Sequence, residues 1–250
     1  MGTLLSEKTY HYLRRKLLAG ELHPGSRLDY KKIAEELGIS VTPVREAMGK
    51  LASEGLVELV PRAGAIVRKL GRQEAEELYG VREAIETYAA AKAAGKILNA
   101  RLEQLEQLLN KMHEIVSKAP AGSNGVLTGD ALAEFLEADL AFHMSVIEAA
   151  GNARLTKLAA DGHILSRIFG TERFGHNREL LEEAEAQHRA IFDALKLRDP
   201  AMAGQTVAIH INRSLELTLL HLNHAERQLY WRGNVETTGS VPQSSVPQPV

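Results

Sequence analysis

The sequence predicts a mainly α-helical protein built as an N-terminal winged helix-turn-helix followed by an all-α bundle of about six helices. Three observations predict this. Residues 1–70 read as helix, short helix, tight turn and helix, then two β-type runs, whereas every periodic segment after residue 71 has helical spacing. The charge also divides: residues 1–70 hold 12 Lys/Arg against 8 Asp/Glu, net +4, and the remainder is net −6. That asymmetry is expected if only the first part meets a polyanion.

In the opening segment, Leu5, Tyr10, Leu13, Leu17 and Leu18 recur at helical spacing, with Ser6 expected as cap and Gly20 as stop. PGSRL is then expected to turn the chain. DYKKIAEELG predicts a short helix with Ile33, Ala34 and Leu37 inward and Gly38 ending it. In ISVTPVREAMGKLASEG, Ser40 or Thr42 can cap, Pro43 fits the first turn, and Val44, Met48 and Leu51 form the apolar stripe. LVELVPRAGAIVRKL places two β-type runs around Pro61–Gly64, a hairpin that would be a wing.

Beyond residue 71, helices are expected over about 72–94, 97–117, 130–150, 153–171, 177–197 and 200–231, with PAGSNGVLTG as a loop. The domains are therefore expected at 1–70 and 72–231, and the Pro- and Ser-containing segment 233–250 as a disordered tail or vector-derived remnant. No cysteine is present, which excludes disulfides, thiolate catalysis, Cys-ligated zinc and iron–sulfur clusters, so any metal must be held by His and carboxylate. Neither a secretory signal pattern nor a run of about 20 apolar residues occurs, and a cytoplasmic location, with no membrane association, is the expectation.

Ser40, Thr42 and Arg45 stand at the N-terminal end of the second helix of the motif, the end that meets base edges in a major groove. Arg45 can bind guanine through its planar fork. Arg27, Lys50 and Arg62 are placed for phosphates or the minor groove, although each could be ordinary surface charge. PGSRL, IAEELGIS, TPVREAMGKLASEGLV and VPRAGAIV together resemble the winged helix-turn-helix of the GntR family of bacterial transcription regulators. The resemblance implies DNA-contact roles for Arg27, Arg45, Arg62 and Gly64. Val41 departs from it, since many members carry Arg there, so the operator sequence does not transfer.

The all-helical continuation resembles the FadR subgroup with its FCD ligand-binding domain, which implies a homodimer on a pseudo-palindromic double-stranded operator and an effector-binding role for residues 72–231. Within it, ADLAFHMSV places Asp139 and His143 four apart on one helix face. By themselves they could be a hydrogen-bonded couple or two ligands of a divalent metal. His188 and His210 likewise could be ordinary core or surface histidines. Metal-binding members of the domain carry Asp-x3-His on one helix and one His on each of two later helices, and Asp139, His143, His188 and His210 match that pattern. One Asp and three His suit zinc or nickel.

By the same resemblance, Arg82 is an inward-facing arginine that would pair with an acidic effector; alternatively it forms an exposed helix pair with Glu86. Arg167, Asn212, Arg213 and His163 are weaker pocket candidates. The expected function is a ligand-responsive regulator that senses a small organic acid, with repression relieved by ligand as the expected sign and activation as the alternative. The alternatives are a metal-dependent hydrolase using a metal-bound water, and a regulator whose metal is purely structural.

Overall fold

The computed structural model describes residues 2–18, 20–61, 64–120, 126–170 and 177–237, with the backbone alone described at 2–3, 18, 161, 167–170 and 223–237. The first helix, α1 (Gly2–Leu18), buries Tyr10, Leu13 and Leu17, one helical stripe, against the third helix. It begins at Gly2, so Ser6 lies inside it and does not cap it. A two-residue strand, β1 (Arg27–Leu28), replaces the simple turn expected of PGSRL.

In α2 (Tyr30–Leu37), the Asp29 carboxylate accepts from the amides of Lys31 at 2.8 Å and Lys32 at 3.3 Å, and Gly38 ends the helix at φ 64°. Next, α3 (Val41–Ser53) buries Pro43, Val44, Ala47, Met48 and Leu51. Its opposite face stays exposed at Ser40, Thr42 and Arg45. The hairpin of β2 (Val57–Val60) and β3 (Gly64–Val67) follows, and β1 joins it to give the antiparallel order β1-β3-β2. Leu28, Val57, Ala65 and Val67 turn inward onto the core that α1, α2 and α3 share.

The second body contains α4 (Arg72–Ala94), α5 (Asn99–Ser117), α6 (Gly129–Ala149), α7 (Ala153–Gly170), α8 (Arg178–Lys196) and α9 (Pro200–Thr237). Helices α4 and α9 form its longest seam. Alanines 89, 90, 93 and 94 of α4 are buried, and small side chains there allow close approach. The core is filled by Leu105, Leu109, Met112, Phe135, Phe142, Ile191, Phe192, Val207 and Ile211. Because α9 continues to Thr237, it runs through residue 233, where the tail was expected to begin; residues 238–250 lie outside those described.

The two bodies share apolar contact. Leu222 of α9 is buried in the N-terminal core, and Leu215, Leu219, Ile164 and Leu165 pack against it. At the wing, Gly64 has φ 97°, and a Cβ there would fall 2.3 Å from the Leu28 carbonyl oxygen. Glycine is therefore required where β1 crosses β3. We predict that Gly64→Ala destabilises the N-terminal body by roughly 1–3 kcal/mol, the cost of a strained φ plus a backbone clash, read by chemical denaturation; unchanged stability would contradict this packing.

Candidate metal centre and nucleic-acid interface

Asp139 and His143 share one face of α6 because they are four residues apart; His188 comes from α8 and His210 from α9. One ligand atom from each of the four lies within 4.8 Å of the others. The Nε2 atoms of His143 and His188 approach to 3.2 Å, and Asp139 Oδ1 is 3.2 Å from His188 Nε2 and 4.0 Å from His143 Nε2. The three histidines are buried, and the Asp139 side chain retains 30% exposure, which leaves an approach from solvent on that side.

The far nitrogen of each ring is already engaged. His188 Nδ1 lies 2.7 Å from the Ala184 carbonyl, His210 Nδ1 2.8 Å from Gln187 Oε1, and His143 Nδ1 3.1 Å from Glu86 Oε2. Each of these partners is an acceptor oxygen, so each Nδ1 carries the proton and donates it. The Nε2 lone pairs of His143 and His188 then face each other beside a carboxylate, and His210 brings a ring nitrogen to the same group. Lone pairs brought together in a buried space repel unless a cation sits between them, and oriented Nδ1–H donors are how metal-bound imidazoles are held. The donor set fits a divalent ion.

Electrostatics agree. Burial, reinforced by His188 and His143, pushes the His210 pKa well below its ordinary value and keeps the ring neutral, the form that ligates. Burial opposes ionisation of Asp139, but the close imidazoles of His188, His143 and His210 outweigh it and hold its carboxyl well below the usual range.

A buried polar layer lies behind His143. Arg82 Nε donates to Glu86 Oε1 at 2.8 Å, and Arg82 NH1 donates to Ser166 Oγ at 3.2 Å. His163 Nε2 is 3.1 Å from Glu86 Oε1 but is not aligned for a hydrogen bond. Burial is the largest influence on Glu86 and opposes its charge; Arg82 and the two imidazoles overcome it and keep the carboxyl ionised. The Arg82–Glu86 pair is therefore a core ion pair and not the exposed one. Glu86 was missed as a site residue, although Ala75, Tyr79, Arg82, Glu86, Ala89 and Ala93 fall on a single buried stripe, a sequence-readable sign.

Two further pocket candidates are paired with carboxylates. Asn212 is exposed and donates to Glu83 at 3.1 Å, and Arg213 is held by Glu183 at 2.7 Å and Glu216 at 3.0 Å. Those carboxylates are the partners of both side chains in this structure. The Arg167 side chain lies outside the described residues. An apolar cavity of about 10 Å³, walled by Phe142, Val146, Ile147, Ile191 and Val207, abuts Glu86 and His143. That is about one water in size.

In the N-terminal body, Arg27, Lys31, Val41, Arg45, Val60 and Gly64 line one open groove of about 480 Å³ between α2, the start of α3 and the wing. Ser40 precedes α3 and makes no capping bond with its side chain, which leaves its hydroxyl available. The amide end of α3 also favours an anion. Gly64 contributes backbone only, and its carbonyl accepts from Tyr30 Oη at 3.1 Å. Lys50 is tied back to Glu7 at 2.9 Å and sits 3.9 Å over the Tyr10 ring, so it joins α3 to α1 instead of presenting a free cation. Arg62 lies outside the described residues.

Residues 5–67 match the model of the bacterial regulatory proteins of the gntR family, and residues 77–213 match the FCD domain. The chain belongs to the GntR family and carries an FCD domain. It is 30% identical to the probable D-xylose utilization operon transcriptional repressor of Paenarthrobacter nicotinovorans, over 86% of this chain and 89% of that one. An uncharacterized HTH-type regulator of Streptomyces ambofaciens is 31% identical, over 81% of this chain and 80% of that one. The solved structure of McbR/YncC from E. coli superposes with TM-score 0.71 at 24% identity, covering 86% and 96% of the two chains, and shows the same fold. Membership makes the protein a DNA-binding transcription regulator and not an enzyme. Among the described residues no helix is long and apolar enough to cross a membrane.

Arg45 is the exposed guanidinium at the start of α3 and lines the groove. Arg45→Ala should weaken binding to a duplex selected by the wild-type protein from a random pool by about 1–3 kcal/mol without altering the fold. Unchanged affinity would remove Arg45 from base recognition.

Proposed function

We propose that this regulator is a homodimeric repressor whose two α3 helices read the half-sites of a pseudo-palindromic operator, and whose helical domain holds zinc or nickel and senses a small carboxylic acid. The observation that carries the reading is the convergence of three Nε2 lone pairs and one carboxylate, with each Nδ1 donating to its own acceptor. Repression is supported by the name of the Paenarthrobacter relative. A cytoplasmic location follows from the need to reach DNA.

Asp139, His143, His188 and His210 would hold the ion. A bound divalent ion supplies a Lewis-acid point that takes carboxylate oxygen, and four protein ligands leave further positions for a chelating acid when the ion is six-coordinate. Arg82 is already neutralised by Glu86, so an acid would be gripped chiefly by the ion, entering past the partly exposed Asp139 edge. Such a ligand regulates only if it binds the DNA-competent and DNA-incompetent forms unequally.

Elemental analysis tests this reading. The purified wild-type protein should carry about one zinc or nickel per chain, and Asp139→Ala and His188→Ala should each weaken metal binding by about 10–100-fold or more. A panel of mono-, di- and tricarboxylates should then release the selected duplex from the metal-loaded protein but not from the variants. Full metal occupancy in either variant would place the ion elsewhere. Metal binding with no carboxylate response, together with a metal-dependent Tm, would make the ion structural.

A further inference from the structure

Glu86 is the point where three helices meet. Its Oε2 takes the Nδ1–H of the ligand candidate His143 on α6, while its Oε1 is shared between Arg82 of α4 and His163 of α7. Arg82 reaches the same helix a second time through Ser166, whose hydroxyl donates in turn to the His163 carbonyl at 3.1 Å. Arg82 and α7 lie in van der Waals range here, since a Cβ at Gly162 would stand 3.5 Å from Arg82 Cγ, an ordinary contact. His163 Nε2 is a buried polar atom without a hydrogen-bond partner, although Glu86 Oε1 is only 3.1 Å away.

Between those two anchors, Ile164 and Leu165 face the other body and pack against the N-terminal core. Leu165 Cδ2 lies 3.8 Å from the position a Cβ would take at Gly55, in the turn that links α3 to β2. Arg68 also holds the Gly55 carbonyl at 3.1 Å and pairs with Glu74 at the start of α4. A single turn of α7 therefore touches the outer layer of the metal centre with two residues and the DNA-reading module with the two between them.

We propose that Arg82, Glu86, His163 and Ser166 form a buried relay that positions His143 for the ion and, through the α7 turn carrying Ile164 and Leu165, couples occupancy of the centre to the α3–β2 junction. Glu86 is a shared acceptor. A stronger bond to His143 draws its charge from Arg82 and His163, and both of these lead into α7. The proposal rests on the metal-centre reading above, and these four residues act by positioning and not by touching the ion.

The test uses the full-length protein with zinc sulfate, comparing zinc affinity with hydrogen–deuterium exchange over residues 51–57 and 160–166. In the wild type, zinc should change exchange in both segments by at least about fivefold, a usual size for linked sites. Leu165→Ala should keep wild-type zinc affinity and lose the response at 51–57. Glu86→Gln should weaken zinc binding by about 10–100-fold, as expected of an outer partner of a ligating histidine. Because an unpaired Arg82 can unfold the bundle, the joint replacement of Arg82→Met with Glu86→Leu removes both charges at once and should show the same weakened affinity.

A folded Glu86 variant with undiminished zinc affinity would overturn the relay, as would a response at 51–57 that survives Leu165→Ala. A response lost only in Leu222→Ala would overturn it in favour of coupling along α9. Wild-type protein that binds neither zinc nor nickel would instead overturn the metal centre itself, and the relay with it.

Discussion

Three imidazole lone pairs are directed at one buried volume in the middle of the helical bundle, and much of the second body is arranged to keep them there. An imidazole left to itself would turn to share a proton with its neighbour. Here the Nδ1 of each ring meets a separate oxygen, of the Ala184 carbonyl, the Gln187 side chain and the Glu86 carboxylate, and the Nε2 atoms of His143 and His188 approach to 3.2 Å. Glu86 in turn is tolerable in the core only because Arg82 is beside it, since an unpaired buried charge costs far more than the pair returns. The consequence runs outward from one chemical demand: α6, α8 and α9 carry the donors, α8 also carries the acceptors for His188 and His210, and α4 and α7 carry the charged layer behind His143.

The same helices that hold the centre also reach the DNA-reading module. In α9, His210 stands 12 positions before Leu222, a distance of about 18 Å along a rigid helix, and Leu222 is buried in the N-terminal core. In α7 the separation is a single turn. Neither helix could move relative to the centre without disturbing apolar contacts of the N-terminal core, and packed cores shift between discrete arrangements more readily than they deform. A regulator needs such a connection, because a ligand that leaves the DNA-reading surface unchanged regulates nothing.

Much of this was legible in the sequence where a period or a spacing carried the signal. Helical stripes such as Tyr10, Leu13 and Leu17 gave α1 its inner face, and the i, i+4 spacing put Asp139 and His143 on one side of α6. The grouping of His188 and His210 with them came through the family resemblance, because residues 45 and 22 positions apart carry no periodic sign of proximity. Strand β1 was missed, since two residues have no alternation to read, and its existence depends on Gly64 permitting the crossing. Glu86 was passed over as the partner of an exposed arginine. The buried stripe on which both charges fall would have shown that they lie in the core. Asn212 and Arg213 pair with Glu83 and Glu183, partners 129 and 30 positions away that no spacing in the sequence reveals.

The most direct test of the account is anomalous diffraction from crystals of the zinc-loaded protein. The account predicts one ion bonded to the Nε2 atoms of His143, His188 and His210 and to Asp139, with Zn–N distances of about 2.0–2.1 Å and the three Nδ1 atoms still on their present acceptors. Ligation through Nδ1, an ion elsewhere, or an ordered water in place of the ion under saturating zinc would contradict it.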